Sequence, residues 1–278
     1  TLRNGLAEYL VVRRALGTQL REPGQSLGHF VKFLESEGQE FITTEIALRW
    51  VRQSVGVQPA TWARRLTMVR RFAAWLSAFD PRTQVPPRGI LEARHRRNKP
   101  HIFTDQEIEL LMAEAARLHS PTGLRALSHV TLIGLLAATG LRPGEALALD
   151  VHDVDLRNGV LAIRQTKFGK SRFVPLEDST RGAIAQYALR RDKLCPRPRT
   201  AAFLVSESGK RLDGSVVRRN FAKISCDVGL RESSEGRRLG RGPRLQDFRH
   251  SFATRKLLEW YRAGLEVHKE MPKLTTYL

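Results

Sequence analysis

Three short segments carry residue types that could do chemistry on an anion. In Ala138-Thr-Gly-Leu-Arg142-Pro-Gly-Glu145 an arginine follows a helix end, and a carboxylate three residues later can orient it. In Thr166-Lys167-Phe-Gly-Lys170-Ser-Arg172-Phe-Val-Pro175 a lysine sits at a hairpin. In Leu245-Gln246-Asp-Phe-Arg249-His250-Ser-Phe-Ala-Thr254 a second arginine opens an apolar helix. Singly, each has an ordinary explanation, since boundary arginines cap helices and hairpin lysines are solvated. Together they are fixed cations. Planar guanidinium forks pair with an oxyanion more specifically than a lysine does.

The elements that must position these residues are mostly helices. Leu6, Tyr9, Leu10, Leu16 and Leu20 suggest a first helix, and Leu27, Phe30, Val31 and Leu34 a second. Ala47, Trp50 and Val51, then Trp62, Leu66, Val69, Ala73 and Leu76, repeat the helical spacing. Pro23-Gly24, Gly38 and the stretch from Gly56 to Pro59 read as breaks, so residues 1–80 form a small bundle of about four helices. Residues 81–102, with Pro81, Pro86, Pro87 and Pro100, read as a semi-extended basic linker. Residues 103–278 open with a capping box at Thr104 and Glu107, followed by an apolar helix over 124–138 that stops at Gly140. Val151 to Asp155, Val160 to Arg164 and Arg172 to Val174 are short and β-prone. Helical spacing returns over 178–191, from Val217 to Val228 and from Leu245 to Trp260. The expected fold is mainly α with a small antiparallel β insert.

Composition narrows the partner. With 47 Lys plus Arg against 28 Asp plus Glu, the chain carries a formal charge of +19. Its 41% hydrophobic content can build a core, which excludes a disordered basic tail. A folded body this basic points to a polyanion, nucleic acid first. The clusters are Arg64, Arg65, Arg70 and Arg71; Arg82 to Lys99, including Arg94, Arg96 and Arg97; and Arg231, Arg237, Arg238, Arg241 and Arg244. No apolar run of about 18 residues offers a membrane span. Cys195 and Cys226 have no CxxC spacing, so neither a disulfide framework nor a zinc site is expected, and the compartment reads as reducing cytosol.

In this order and context the three segments resemble the tyrosine recombinases, or phage integrase family, over essentially the whole chain. The closing segments, with Trp260-Tyr261-Arg262 and Pro272 to Leu278, resemble plasmid- and transposon-borne members. The resemblance implies a helical core-binding (SAM-like) bundle followed by a tyrosine-recombinase catalytic domain. It implies attack of a tyrosine on a DNA backbone phosphate, giving a 3′-phosphotyrosyl link, without metal, nucleotide or other cofactor. Arg142 and Arg249 would clamp the scissile phosphate, Lys167 would protonate the leaving 5′-oxygen, and Glu145 would hold Arg142. Arg64, Arg65, Arg70, Arg71, Arg94, Arg96, Arg97, Lys99, Arg172 and Arg244 would hold DNA. The implied partners are double-stranded DNA and further copies of the chain, a tetramer on two sites in the bacterial cytoplasm at the nucleoid. No small-molecule substrate is implied. The sequence agrees in having no Walker-type glycine loop and no evident His/carboxylate cluster for a metal.

Two departures matter. The family usually has a histidine three residues before the second arginine, and here that position is Gln246. Glutamine can hydrogen-bond a phosphate oxygen but cannot exchange a proton near neutral pH. His250 falls on another side of the helix and reads as structural. The second departure is the nucleophile. Leu274-Thr-Thr-Tyr277-Leu278 matches the segment that precedes the family's Gly-His box and tyrosine, so the chain reads as truncated before both. The alternative pairs His268 with Tyr277, whose separation matches the family's spacing, although Pro272 argues against one helix there. Tyr9 and Tyr187 read as core or interface residues, and Tyr261, beside Trp260, as packed in the core. Three functions follow: a recombinase whose tyrosine comes from the full-length protein or a neighbouring protomer, a cleavage-dead DNA-binding remnant, and a helix-turn-helix regulator. The last leaves Arg142, Lys167 and Arg249 unexplained.

Overall fold

A computed structural model describes the chain except residues 19, 93–98, 165–170 and 233–241. It divides into two compact units, Thr1–Asn98 and Lys99–Leu278.

The first unit holds α1 (Leu2–Ala15), α2 (Arg21–Ser36), α3 (Thr44–Arg52) and α4 (Pro59–Leu76). Their apolar faces meet in a core that includes Phe30, Leu34, Val51, Leu66 and Phe72, all essentially solvent-free. Thr43 caps α3 by accepting from the Ile46 N–H, and Pro59 starts α4, where the missing donor costs nothing. Two expectations change here. Leu16 and Leu20 lie beyond α1, and Leu16 is exposed. Pro23 and Gly24 do not break the chain but fall in the first turn of α2, where the N–H that Pro23 lacks would have no helical partner and the Gly24 N–H donates to the Leu20 carbonyl at 2.9 Å.

The segment after α4 is anchored to this unit rather than free. The Gln84 N–H donates to the Ile42 carbonyl at 2.7 Å, and the Thr44 N–H donates to the Gln84 side chain at 3.0 Å. Arg70 donates from Nε to the Pro86 carbonyl at 2.7 Å and from Nη2 to the Pro87 carbonyl at 2.9 Å. Prolines cannot supply a ladder, so an arginine fork holds the carbonyls they expose.

The second unit runs α5 (Asp105–Ala116), α6 (Leu124–Thr139), α7 (Pro143–Ala148), a 3-10 turn at 151–153, β1 (Val154–Asp155), β2 (Val160–Ile163) and β3 (Arg172–Pro175). Then come α8 (Asp178–Leu194), α9 (Gly214–Asp227), α10 (Asp247–Arg262) and α11 (Val267–Tyr277). The Thr104–Glu107 capping box is present. Helix α6 is central, with Leu132, Ile133, Leu135 and Leu136 buried among α5, α8 and α10. The sheet is antiparallel in the order β1-β2-β3, pairing Leu161 with Val174 and Ile163 with Arg172. The expected first strand is thus mostly a turn, because Asp153 folds back to accept the Asp150 N–H. Pro272 lies inside α11, which is one helix despite the donor it lacks.

Glu207 organises the start of α6. Gly123, at φ 84°, offers no side-chain cap. Glu207 instead accepts from Ser120 Oγ (2.8 Å), the Thr122 N–H (2.6 Å) and the Arg125 N–H (3.0 Å). Burial pushes its carboxyl up, but the bonds from Thr122, Ser120 and Arg125 outweigh this and hold it at about 2. Its stabilising effect is therefore complete above the ordinary value of 4.5 and lost as pH falls towards 2. Glu207→Gln is expected to melt below wild type at neutral pH. The gap between the two melting temperatures should close as the buffer is taken from pH 5 to about pH 2.

Candidate functional site

The site forms where α6 ends. Gly140 terminates the helix at φ 61°, a left-handed conformation suited to glycine. A Cβ there would lie 2.7 Å from Cδ1 and 2.8 Å from Cγ of Phe252. Helix α10 therefore approaches α6 as closely as it does only because residue 140 has no side chain. Phe252 lies one turn after Arg249, so the same contact delivers Arg249 to the turn, where its Nη1 donates to the Gly140 carbonyl at 3.0 Å.

Arg142 caps α7, with Pro143 at the first helical position. Glu145 accepts the Arg142 N–H at 3.1 Å and the Arg142 Nη1 at 2.8 Å, so one carboxylate caps the helix and orients the guanidinium. Arg172 meets the same carboxylate with two bonds, Nη1 to Oε1 at 3.2 Å and Nη2 to Oε2 at 2.7 Å. Burial pushes Glu145 up, and the bonds from Arg172 and then Arg142 override it and hold the carboxyl below its ordinary range. Among the described residues no Asp or Glu side chain pairs with Arg249. Burial first, then the nearby charges of Arg142 and Arg172, lower it to about 10. It remains a cation at neutral pH.

The end of α11 abuts these cations. Arg172 Nε donates to the Tyr277 carbonyl at 2.7 Å, and Arg142 Nη1 and Arg249 Nη2 both donate to the Leu278 carbonyl. The Tyr277 ring stacks on Phe252, with centroids 5.4 Å apart. Burial raises its phenol to about 12, with Glu177 adding to the shift against Arg172 and Arg249. Backbone oxygens of this segment, rather than the phenol, are what the arginines hold.

The other sequence-predicted residues divide. Gln246 is half-buried at the start of α10 and makes no side-chain cap bond. Lys167, Arg94, Arg96 and Arg97 lie outside the described residues. Lys99 and Arg71 are exposed. Arg64 pairs with Glu22 at 2.7 Å, Arg65 bonds Ser54 and lies over Trp50, and Arg244 pairs with the buried Asp247. His250 and Tyr261 are exposed rather than packed, because α10 turns their side of the helix outward. Tyr9 and Tyr187 are buried. Against expectation, Asp150, His152 and Asp153 do bring ligand atoms within 4.8 Å of one another. Both carboxylates already hold arginines, Asp150 with Arg211 and Asp153 with Arg164. Sequence reasoning missed Gly140 as the contact that joins the arginines, although Thr-Gly-Leu-Arg contains it, and it treated Arg172 only as a DNA contact.

Residues 101–262 match the phage integrase family. Over its whole length the chain is 41% identical to the y4rB protein of Sinorhizobium fredii (strain NBRC 101917 / NGR234), named an integrase/recombinase, and spans 88% of it. This chain belongs to the phage integrase family. It is also 30% identical, over 73% of its length, to the tyrosine recombinase XerD of Caulobacter vibrioides (strain ATCC 19089 / CIP 103742 / CB 15), of which it covers 63%. Among solved structures, the Tn1549 transposon integrase in complex with transposon right end DNA superposes with a TM-score of 0.62 at 16% identity, covering 98% of this chain and 93% of that one. A lambda integrase dimer bound to a COC′ core site gives 0.62 at 17%, covering 91% and 89%. At such identities the structures show that this chain shares their fold. No helix among the described residues is long and apolar enough to cross a membrane.

The approach at residue 140 can be tested by packing. Gly140→Ala is expected to destabilise this family member by about 2 kcal/mol or more, combining left-handed strain with overpacking. Phe252→Ala should remove the steric part, so urea melts of the double variant should show less loss than the two single losses added. Simple additivity would contradict the geometry.

Proposed function

We propose that this chain is a site-specific DNA recombinase that cuts and rejoins double-stranded DNA through a 3′-phosphotyrosyl intermediate, without metal or ATP. The observation that carries the reading is the convergence of Arg142 and Arg249 at the Gly140 turn, with Glu145 orienting the first. Attack on a phosphodiester builds charge on the nonbridging oxygens, and two preorganised guanidiniums stabilise that charge without rearranging. Lys167 is the proposed general acid, and Gln246 a hydrogen-bond donor to phosphate where a proton-exchanging histidine is usual. Energy stays in the covalent link, so a second DNA end can displace the tyrosine. By the same reading the protein works in the bacterial cytoplasm at the nucleoid, assembling on DNA with further copies. Support for assembly is that a lambda integrase of similar fold is a tetramer bound to a Holliday junction.

Tyr277 supports a second reading. A buried phenol raised to about 12 and stacked on Phe252 is a poor nucleophile at neutral pH. In that case this chain binds DNA without cutting through Tyr277, and any cleavage uses another tyrosine, in cis or from a neighbouring protomer.

A nicked suicide substrate separates the two. Under the first reading a covalent adduct appears on a denaturing gel, and Arg142→Ala or Arg249→Ala reduces its rate about a hundredfold or more. Normal cleavage by either variant would remove the site assignment. An adduct that disappears in Tyr277→Phe makes Tyr277 the nucleophile, whereas intact binding with no adduct supports the second reading. The basic surface has its own test, an affinity titration against salt. Arg71→Ala should lower the slope of log K against log salt by about one, as for a lost phosphate contact. Arg70→Ala should chiefly lower the melting temperature, because Arg70 holds Pro86 and Pro87.

A further inference from the structure

We propose that Arg172 is a positioning residue for Arg142, acting through Glu145, and not a DNA contact. This rests on the reading that Arg142 and Arg249 seat a phosphate. Antiparallel pairing with Ile163 fixes the Arg172 backbone, and the pleat fixes its direction. Val174, two residues on, is buried, and Phe173 between them is 75% exposed, so Arg172 shares the inward face. Its side chain is 15% exposed, against 44% for Arg142. Three of its donors are engaged, two on Glu145 and one on the Tyr277 carbonyl. Arg142 is the more open of the two and can turn donors to an incoming anion.

The carboxylate needs this second arginine. Arg142 alone gives Glu145 one backbone N–H at 3.1 Å and one guanidinium bond at 2.8 Å, and that single guanidinium contact leaves the Arg142 side chain free to turn about it. The bidentate grip of Arg172 fixes the plane of the Glu145 carboxylate, and Glu145 then presents a fixed acceptor to Arg142. Lysine cannot reproduce the grip, because one ammonium does not span both oxygens and the Tyr277 carbonyl at once. The same fork ties the last turn of α11 to Glu145, a route to Arg142 beside the bond Arg142 makes itself to the Leu278 carbonyl.

The test uses the full chain, 15N-labelled, with the Arg142 Nε–Hε resonance assigned by Arg142→Lys and inorganic phosphate titrated at matched ionic strength. In Arg172→Lys, which keeps the charge, the Arg142 resonance is expected to move or broaden before phosphate is added, and phosphate to bind about tenfold more weakly, the size of a lost charge-assisted hydrogen bond. Glu145→Gln should do the same, and the double variant should lose no more than either single one. An unmoved Arg142 resonance with wild-type phosphate affinity in Arg172→Lys would overturn the proposal, as would fully additive losses in the double variant. Arg172→Gln provides the same comparison if the lysine variant lacks a cooperative melt. Should phosphate leave Arg142 of the wild type unperturbed, the phosphate-seat reading fails, while the phosphate-free resonance comparison still decides whether Arg172 positions Arg142.

Discussion

Among the described residues three guanidiniums, Arg142, Arg172 and Arg249, converge where Glu145 is the side-chain carboxylate that holds two of them, and the elements around the Gly140 turn keep them there. Like charges at short range repel, and burial makes each more costly to keep ionised. Arg249 registers both effects in its lowered value. The compensations are local and directional. Glu145 answers Arg142 and Arg172, while the Gly140 carbonyl, exposed by the end of α6, answers Arg249. A turn with no side chain, a short helix with an arginine at its start and a strand with an arginine at its start are what bring these acceptors to the cations.

The surface charge is less uniform than its total suggests. Arg70, Arg82 and Arg244 spend donors on carbonyls or carboxylates of their own unit, whereas Arg71 and Lys99 are exposed. A basic cluster read along the chain thus mixes internal struts with free cations. Surface ion pairs such as Arg64–Glu22 hold their cations only loosely, since exposed pairs contribute little.

Much of the fold was legible because its signals are local. Apolar spacing marks the buried faces of α3, α4, α6 and α9, Thr104 and Glu107 mark a helix start, and the Gly140 stop follows from backbone freedom. Proline rules misled twice. Pro23 falls where no donor is needed, and Pro272 loses one bond in a helix whose Leu274 is buried and whose last turn Arg172 holds. In the candidate site, Arg142, Glu145 and Arg249 were legible as motif positions. The bonds of Arg172 to Glu145 were not, because a motif marks a cation near the site without saying which partner it faces. The pleat that buries Val174 carries that information, and it becomes visible only once the strand register is known. Tyr261 was misplaced for a related reason, as an aromatic beside Trp260 reads as core until the exposed side of α10 is known.

The saturation of Glu145 limits proton traffic. Its two oxygens already accept four hydrogen bonds, one from a backbone N–H and three from guanidinium nitrogens. A carboxylate has about four such positions, so no lone pair is left to receive a proton from water or a hydroxyl without breaking a bond to an arginine. Glu145 is thereby a spectator in any acid–base step. Glutamine at position 246 cannot exchange a proton near neutral pH either, so the proposed reaction would need its proton from groups other than these two.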